Sequence, residues 1–226
     1  YLNEVGVRNE WADARLLIRT DHNYREGKVD WEVSARLIQE KVGKILQGDE
    51  THIVITQGFI GGTEEMLPTT LGREGSDYSA AIFAYVLGAE SVTIWKDVPG
   101  LLNADPKFFP DAVKLEQIPY EEAIELAYYG ASVIHPKTLK PLQNKQIPLY
   151  VKPFMHPEES GSRIDAGKMK KHVPCYIFKT KQVLISIYPK DFSFIAVENL
   201  DEIFAVISKN KIKINLMQNS ALSFSI

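Results

Sequence analysis

A single cysteine, Cys175, stands in a chain of 226 residues. It excludes an internal disulfide, and with no Cys or His partner at metal-ligand spacing it fits a protein of the reducing cytoplasm. The five histidines are scattered, without an H-x-x-x-H or H-E-x-x-H pair, so a protein-held metal is not expected. Positive charge is not in excess either. The formal net charge is −3, whereas a surface built for nucleic acid or an anionic membrane carries a basic face. No apolar run reaches about eighteen residues and no signal peptide is visible, which argues against a membrane span. What the chain does have is 45% hydrophobic residues, ample for a large core in one or two domains.

The residues from Thr69 to Glu90 read as a loop that becomes a helix. Gly72 and Gly75 bracket Arg73 in a turn where a missing Cβ lets the backbone approach a ligand, and Ser76 offers a hydroxyl at a helix N-cap. Ala80, Ala81, Ile82, Ala84, Val86 and Leu87 predict a buried helix that Gly88 ends at C′. Such a helix aims its positive end at the turn, where Arg73 adds a planar fork for a carboxylate or phosphate. Taken alone, the turn is equally well a glycine-rich connection. Its neighbours change that: a β-branched run ends at Gly58 upstream, and SVTIWKDVPG is a strand ending at Gly100 downstream. Strand, loop, helix, strand is the grammar of a parallel sheet, whose ligands bind beyond the carboxyl ends of the strands.

Four segments in series, VITQGFIG (54–61), TTLGREGSD (69–77), IWKDVPGLLNADP (94–106) and YYGASVIHPKTL (128–139), resemble an aspartokinase over nearly the whole chain. The resemblance implies part of an α/β/α sandwich of the amino acid kinase type over residues 1–164, a linker at 165–175 and a truncated α+β domain of the ACT type at 176–226. It implies L-aspartate and ATP as substrates, with Mg2+ carried in by ATP, a homodimer formed through ACT domains, and an amino acid as candidate effector. On the matching positions Gly58, Phe59, Arg73, Gly75 and Ser76 hold the substrate, with Arg73 pairing its α-carboxylate. Asp77 is then the catalytic-site residue that orients the ammonium of a lysine from an N-terminal strand. Lys96, Asp97, Gly100, Leu102, Lys107, Ser132 and Val133 fall on the nucleotide side.

The sequence departs from the family at Lys96 (Thr there), Leu102 (Tyr), Lys107 (Arg) and Ser132 (often Lys), and Lys137 is the candidate to replace that last lysine. Lys for Arg keeps a charge but loses the bidentate fork. Gln218, Asn219 and Ser220 match the regulatory segment, with Ala221 where lysine-sensitive relatives have Glu, so weak or absent lysine inhibition is expected.

Elsewhere, Ala14–Ile18 reads as a strand, with Arg15 and Arg19 solvated, and Trp31–Leu46 as an outer helix. IGGTEEMLP reads as a mobile surface loop with solvated Glu64 and Glu65, and 96–114 as a long ligand-carrying loop. A helix beginning near Pro119 buries Ala123, Ile124, Ala127 and Tyr128, and His135 is structural, Pro136 marking the next helix start. Beyond the small, polar and basic stretch SGSRIDAGKMKKHVP, the runs QVLISIYP, KIKINLM and ALSFSI predict strands around a helix containing Leu200, Ile203, Phe204 and Ile207.

The implied reaction moves the γ-phosphoryl group of MgATP to the side-chain carboxylate of L-aspartate, giving 4-phospho-L-aspartate on the route to lysine, threonine and methionine. A carboxyl group with a pKa of about 3.9 is ionised at pH 7, so no general base is called for and the burden falls on charge and positioning. Two other readings stay open: a kinase for another small carboxylate such as glutamate, and a non-catalytic amino-acid-binding regulatory protein of the same fold. Opening on Tyr1 and closing on SFSI, without the family's Lys-Phe-Gly-Gly strand or Ser-x-Gly-Glu helix start, the chain reads as a fragment expected to be inactive by itself.

Overall fold

The computed structural model describes residues 1–48, 53–129, 133–168, 173–190 and 197–226, in two compact units, Tyr1–Phe178 and Lys179–Ile226. In the larger unit the chain forms β1 (Glu10–Ala12), α1 (Ala14–Leu17), α2 (Trp31–Ile38), a π-helical turn (Gln39–Gly43), α3 (Lys44–Gln47), β2 (Val54–Thr56), β3 (Ile60–Gly62) and β4 (Pro68–Thr70). There follow α4 (Gly75–Leu87), β5 (Val92–Lys96), β6 (Gln117–Pro119), α5 (Tyr120–Tyr129), α6 (Pro136–Asn144), β7 (Leu149–Pro153) and β8 (Ser162–Asp165).

Helix α4 is apolar nearly all round because it is covered from two sides. Ala81 and Ala84 belong to one cluster with Val92, Ile94, Leu149 and Ile164 of the sheet ordered β5-β7-β8-β6. Ile82 and Val86 belong to a second cluster with Leu17, Ile18, Ile38 and Val42. In the sheet β5 runs parallel to β7 and β6 parallel to β8, while β7 and β8 are antiparallel. A parallel pair, β1 and β2, and a hairpin, β3 and β4, complete the larger unit's strands among the described residues. Trp31 of α2 meets Tyr78 and Tyr85 of α4 edge-on, at 6.3 and 5.2 Å between centroids.

The last carbonyls of α4 are taken by side chains from elsewhere. Gln39 donates to the Val86 carbonyl at 2.6 Å, Lys145 to that of Tyr85 at 2.6 Å, and Gly88 closes the helix in the left-handed region at φ 65°.

Several expectations need correction. Ala14–Leu17 is a helical turn and not a strand, since Asp13 accepts from the Arg15 N–H and caps it. The glycines of IGG are no surface loop: Gly61 and Gly62 are buried in β3, and a Cβ on Gly62 would come within 2.5 Å of the Arg15 carbonyl. Glu64 and Glu65 beyond them are exposed. In α5 the buried positions are Tyr120, Ala123 and Leu126, while Tyr128 is 66% exposed. The polar stretch begins with a sheet strand, β8, whose Ser162 hydroxyl accepts from the Leu101 N–H at 2.8 Å. Gly130, Lys170 and Lys171 lie outside the described residues.

The smaller unit holds β9 (Ser186–Ile187), α7 (Val197–Lys209), β10 (Gln218–Asn219) and β11 (Phe224–Ser225). These three strands are antiparallel in the order β10-β11-β9. Phe224 is buried against Phe204 of α7, edge-on at 5.6 Å. KIKINLM forms no strand: among the described residues no strand pairs with it, and Ile212, Leu216 and Met217 are exposed. No helix among the described residues is long and apolar enough to cross a membrane.

Tyr120 supplies a test of the larger core. It is 1% exposed and its hydroxyl donates to the Ile147 carbonyl. Burial first, and the Asp165 carboxylate second, push its phenol up to about 12. The folded protein therefore keeps a proton that the unfolded chain releases near pH 10, so this stabilisation is complete below about pH 10 and is lost as the pH rises toward about 12. Denaturant melts across that range are expected to show stability declining in the wild type and declining less in Tyr120→Phe. At pH 7 the variant is expected to be less stable by about 1–3 kcal/mol, because the Ile147 carbonyl is left unpaired.

Candidate active site

The loop after β2 and the start of α4 are fitted to each other. Phe59 is left-handed at φ 56° and its N–H donates to the Ser79 hydroxyl at 2.9 Å, which in turn donates to the Gly75 carbonyl at 3.0 Å. A Cβ on Gly58 would lie 2.9 Å from the Ser76 hydroxyl oxygen, and one on Gly75 would lie 2.9 Å from the Phe59 Cβ. The close approach that these glycines permit is thus between two loops of the protein.

The N-cap of α4 is Glu74 and not Ser76. Glu74 sits in the left-handed region at φ 53°, and its side chain makes no capping bond, since a capping carboxylate reaches the first-turn N–H groups from an extended backbone. One of its carboxylate oxygens is buried without a hydrogen bond. Ser76, inside the first turn, is exposed, and so is Arg73.

Asp77 also lies in that first turn, and its carboxylate is 2.8 Å from the Lys96 ammonium. The two side chains are only 13% and 22% exposed. Lys96 shares the parity of Val92 and Ile94 along β5, both buried in the cluster that includes α4, so the last residue of the strand places its ammonium at the helix start. Three other cations near the site are committed elsewhere. Arg15 pairs with Asp13, whose carboxyl the Arg15 hydrogen bond holds down at about 2; Arg19 donates to the Thr63 carbonyl; Lys137 pairs with Glu26. His135 caps α6 by accepting from the Lys137 N–H at 3.1 Å, and burial lowers its pKa, in keeping with a structural role.

The residues expected on the nucleotide side are spread along the following loop and beyond. Asp97 and Lys107 are exposed, Gly100 is buried where a Cβ would lie 2.5 Å from the Ser162 hydroxyl, and Leu102 bridges to Lys114. The Lys107 N–H donates to Asp105 at 2.9 Å. Val133 packs against the sheet-side cluster, while Ser132 lies outside the described residues. Gln218 and Asn219 form β10 in the smaller unit, and the Ser220 hydroxyl accepts from the Ser223 N–H in the turn to β11. The features that sequence reasoning missed are Ser79 and Glu74. A serine one turn after Gly75 on an otherwise apolar helix was the available signal for the first, and nothing in the sequence marks the backbone of the second.

The amino acid kinase family matches residues 1–153. Over its full length the chain is 32% identical to lysine-sensitive aspartokinase 3 of Escherichia coli, of which it covers 49%. The structure of E. coli aspartokinase III with lysine and aspartate superposes on 99% of the chain with a TM-score of 0.76 at 31% identity, covering 50% of that protein. That of the same enzyme with aspartate and ADP gives 0.73 at 29% identity, over 99% of the chain and 49% of that protein. The chain therefore spans about half the length of these relatives.

Glu74 offers a test of how the site is built. Glycine is free of the left-handed penalty of about 1–2 kcal/mol, which outweighs its extra entropy cost of about 0.5–1 kcal/mol, and the substitution also removes a buried, unpaired oxygen. Glu74→Gly is expected to raise the melting temperature by roughly 2–4 °C in calorimetry; a lower melting temperature would contradict this account of the turn.

Proposed function

The chain belongs to the amino acid kinase family and has its fold, and from that membership we propose that its protein is an aspartate kinase, transferring the γ-phosphoryl group of MgATP to the side-chain carboxylate of L-aspartate. The single observation that carries this reading is the interlock of Gly58 and Phe59 with Gly75 and Ser76 beside the Asp77–Lys96 pair. It sets the loop after β2 and a charged pair at the N-terminal end of one buried helix, which supports the reading. The E. coli relative, 29% identical in structure-based comparison, is described in complex with aspartate and ADP.

In this reading a carboxylate oxygen of aspartate forms a bond to the γ-phosphorus, and the bond from that phosphorus to the bridging oxygen breaks. ADP leaves with the oxygen and its electron pair. The acceptor is already an anion, so the protein's task is to bring two negative groups together. Arg73 takes the α-carboxylate, Gly58, Phe59, Gly75 and Ser76 shape the substrate pocket, and the loop from Asp97 to Lys107 with Val133 lines the nucleotide side. The smaller unit is read as an ACT-like regulatory part that pairs with a second copy and takes an amino-acid effector near Gln218, Asn219 and Ser220. Those three carry hydrogen-bonding groups but no acid for a lysine ammonium.

ADP production by the full-length protein with aspartate, with glutamate and with neither tests the reading. Turnover with aspartate alone supports it, preference for glutamate moves the assignment to another carboxylate, and no turnover with either leaves a binding protein. Arg73→Lys keeps the charge and loses the planar fork, so aspartate is expected to bind more weakly by about 1–3 kcal/mol, with ATP affinity little changed. Calorimetric titration with each ligand checks this; a loss confined to ATP would put Arg73 on the wrong side of the site.

A further inference from the structure

We propose that Asp77 and Lys96 act as one unit in which Lys96 supplies the ammonium that meets the transferring phosphoryl group and Asp77 positions it. The inference rests on the kinase reading above, but it assigns the charge to this chain's own β5.

The geometry carries it. Lys96 ends the strand whose inward residues, Val92 and Ile94, pack in the cluster shared with α4, so its stem continues along that face and its head emerges at the first turn of the helix. There Asp77 receives it at 2.8 Å, with both side chains mostly shielded from water. Two shielded opposite charges resist the loss of either one, because the survivor is left poorly solvated. The contact does not exhaust the lysine. An ammonium has three N–H groups, and the approach to Asp77 is an ion pair without an aligned hydrogen bond, leaving donors for another anion.

The position matters as much as the charge. Asp77 directly follows Gly75, which faces Phe59, and Ser76, which faces Gly58, and Lys96 directly precedes Asp97 and the loop to Gly100. An ammonium held here stands where the acceptor loop and the nucleotide loop begin, which is where charge must be neutralised as the new oxygen–phosphorus bond forms and the old one breaks. The other cations near the helix start are differently placed: Lys137 is paired with Glu26, and Arg73 is exposed.

The test uses the full-length protein and two independent measurements. In the first, Lys96→Gln, Lys96→Arg and Asp77→Asn are compared in steady-state kinetics and in binding of a non-hydrolysable MgATP analogue. Lys96→Gln is expected to lower kcat by about 10²- to 10³-fold with the KM for aspartate within about threefold, and to weaken binding of the analogue more than that of ADP. Lys96→Arg should recover part of kcat. Asp77→Asn should lower kcat in the same direction, and combining it with Lys96→Gln should add little, as expected of residues acting together. In the second measurement, which needs no variant to fold, acetylation of wild-type Lys96 is followed by mass spectrometry; the MgATP analogue should slow it several-fold and aspartate should not. Unchanged or increased kcat in folded Lys96→Gln, or acetylation unaffected by the analogue, overturns the proposal. If the wild type shows no aspartate-dependent turnover but the analogue protects Lys96, the kinase reading falls while the assignment of Lys96 to the phosphate stands.

Discussion

Burial of helix α4 from both sides is the constraint on which the larger unit rests. Ala81 and Ala84 look toward the four-stranded sheet, and Ile82 and Val86 toward the layer that contains Ile18, Ile38 and Val42. Small residues on one side let the sheet come close, and branched ones on the other fill the space beneath the outer helices. Because a helix held in this way cannot turn about its axis without exposing one cluster, the direction in which its first turn points is fixed by packing far from any ligand. The positions of Asp77 and Ser76 follow from that, and so does the reach required of Lys96.

The parts legible in the sequence were those whose signal is local. Helix α4 announced itself by its apolar run and by Gly88, β5 by its branched residues, and α6 by Pro136 after His135. What escaped depends on contacts distant in sequence. Gly61 and Gly62 have the composition of an exposed turn, yet their missing side chains let β3 lie directly on the backbone of Arg15 and Ile18. Ala14–Leu17 is too short to show a period, and the decision for helix lies with its good helix formers and with Asp13, whose bonds to Arg15 cap the turn. KIKINLM alternates as a strand should, but a strand also needs a neighbour.

The candidate site was legible to a similar degree and for the same reason. Gly72, Gly75 and Asp77 stand in one contiguous motif, so their convergence needed only a turn. The pairing of Asp77 with Lys96 joins the beginning of a helix to the end of the next strand, and it follows from period-two alternation only once the buried face of β5 is known. Ser79 escaped because a buried serine on a helix gives no hint of the partner its hydroxyl will find.

The side chains that hold the two ends of α4 have a mechanical meaning. At one end Ser79 ties the helix to the Phe59 backbone; at the other Gln39 and Lys145 hold its last carbonyls. A rod pinned in this manner resists fraying beyond its uncapped first turn, so the amide protons along its middle are expected to exchange through opening of the surrounding unit. The helix that carries the candidate site then belongs to the slow-exchanging core, an arrangement suited to a site built from fixed charges instead of moving parts.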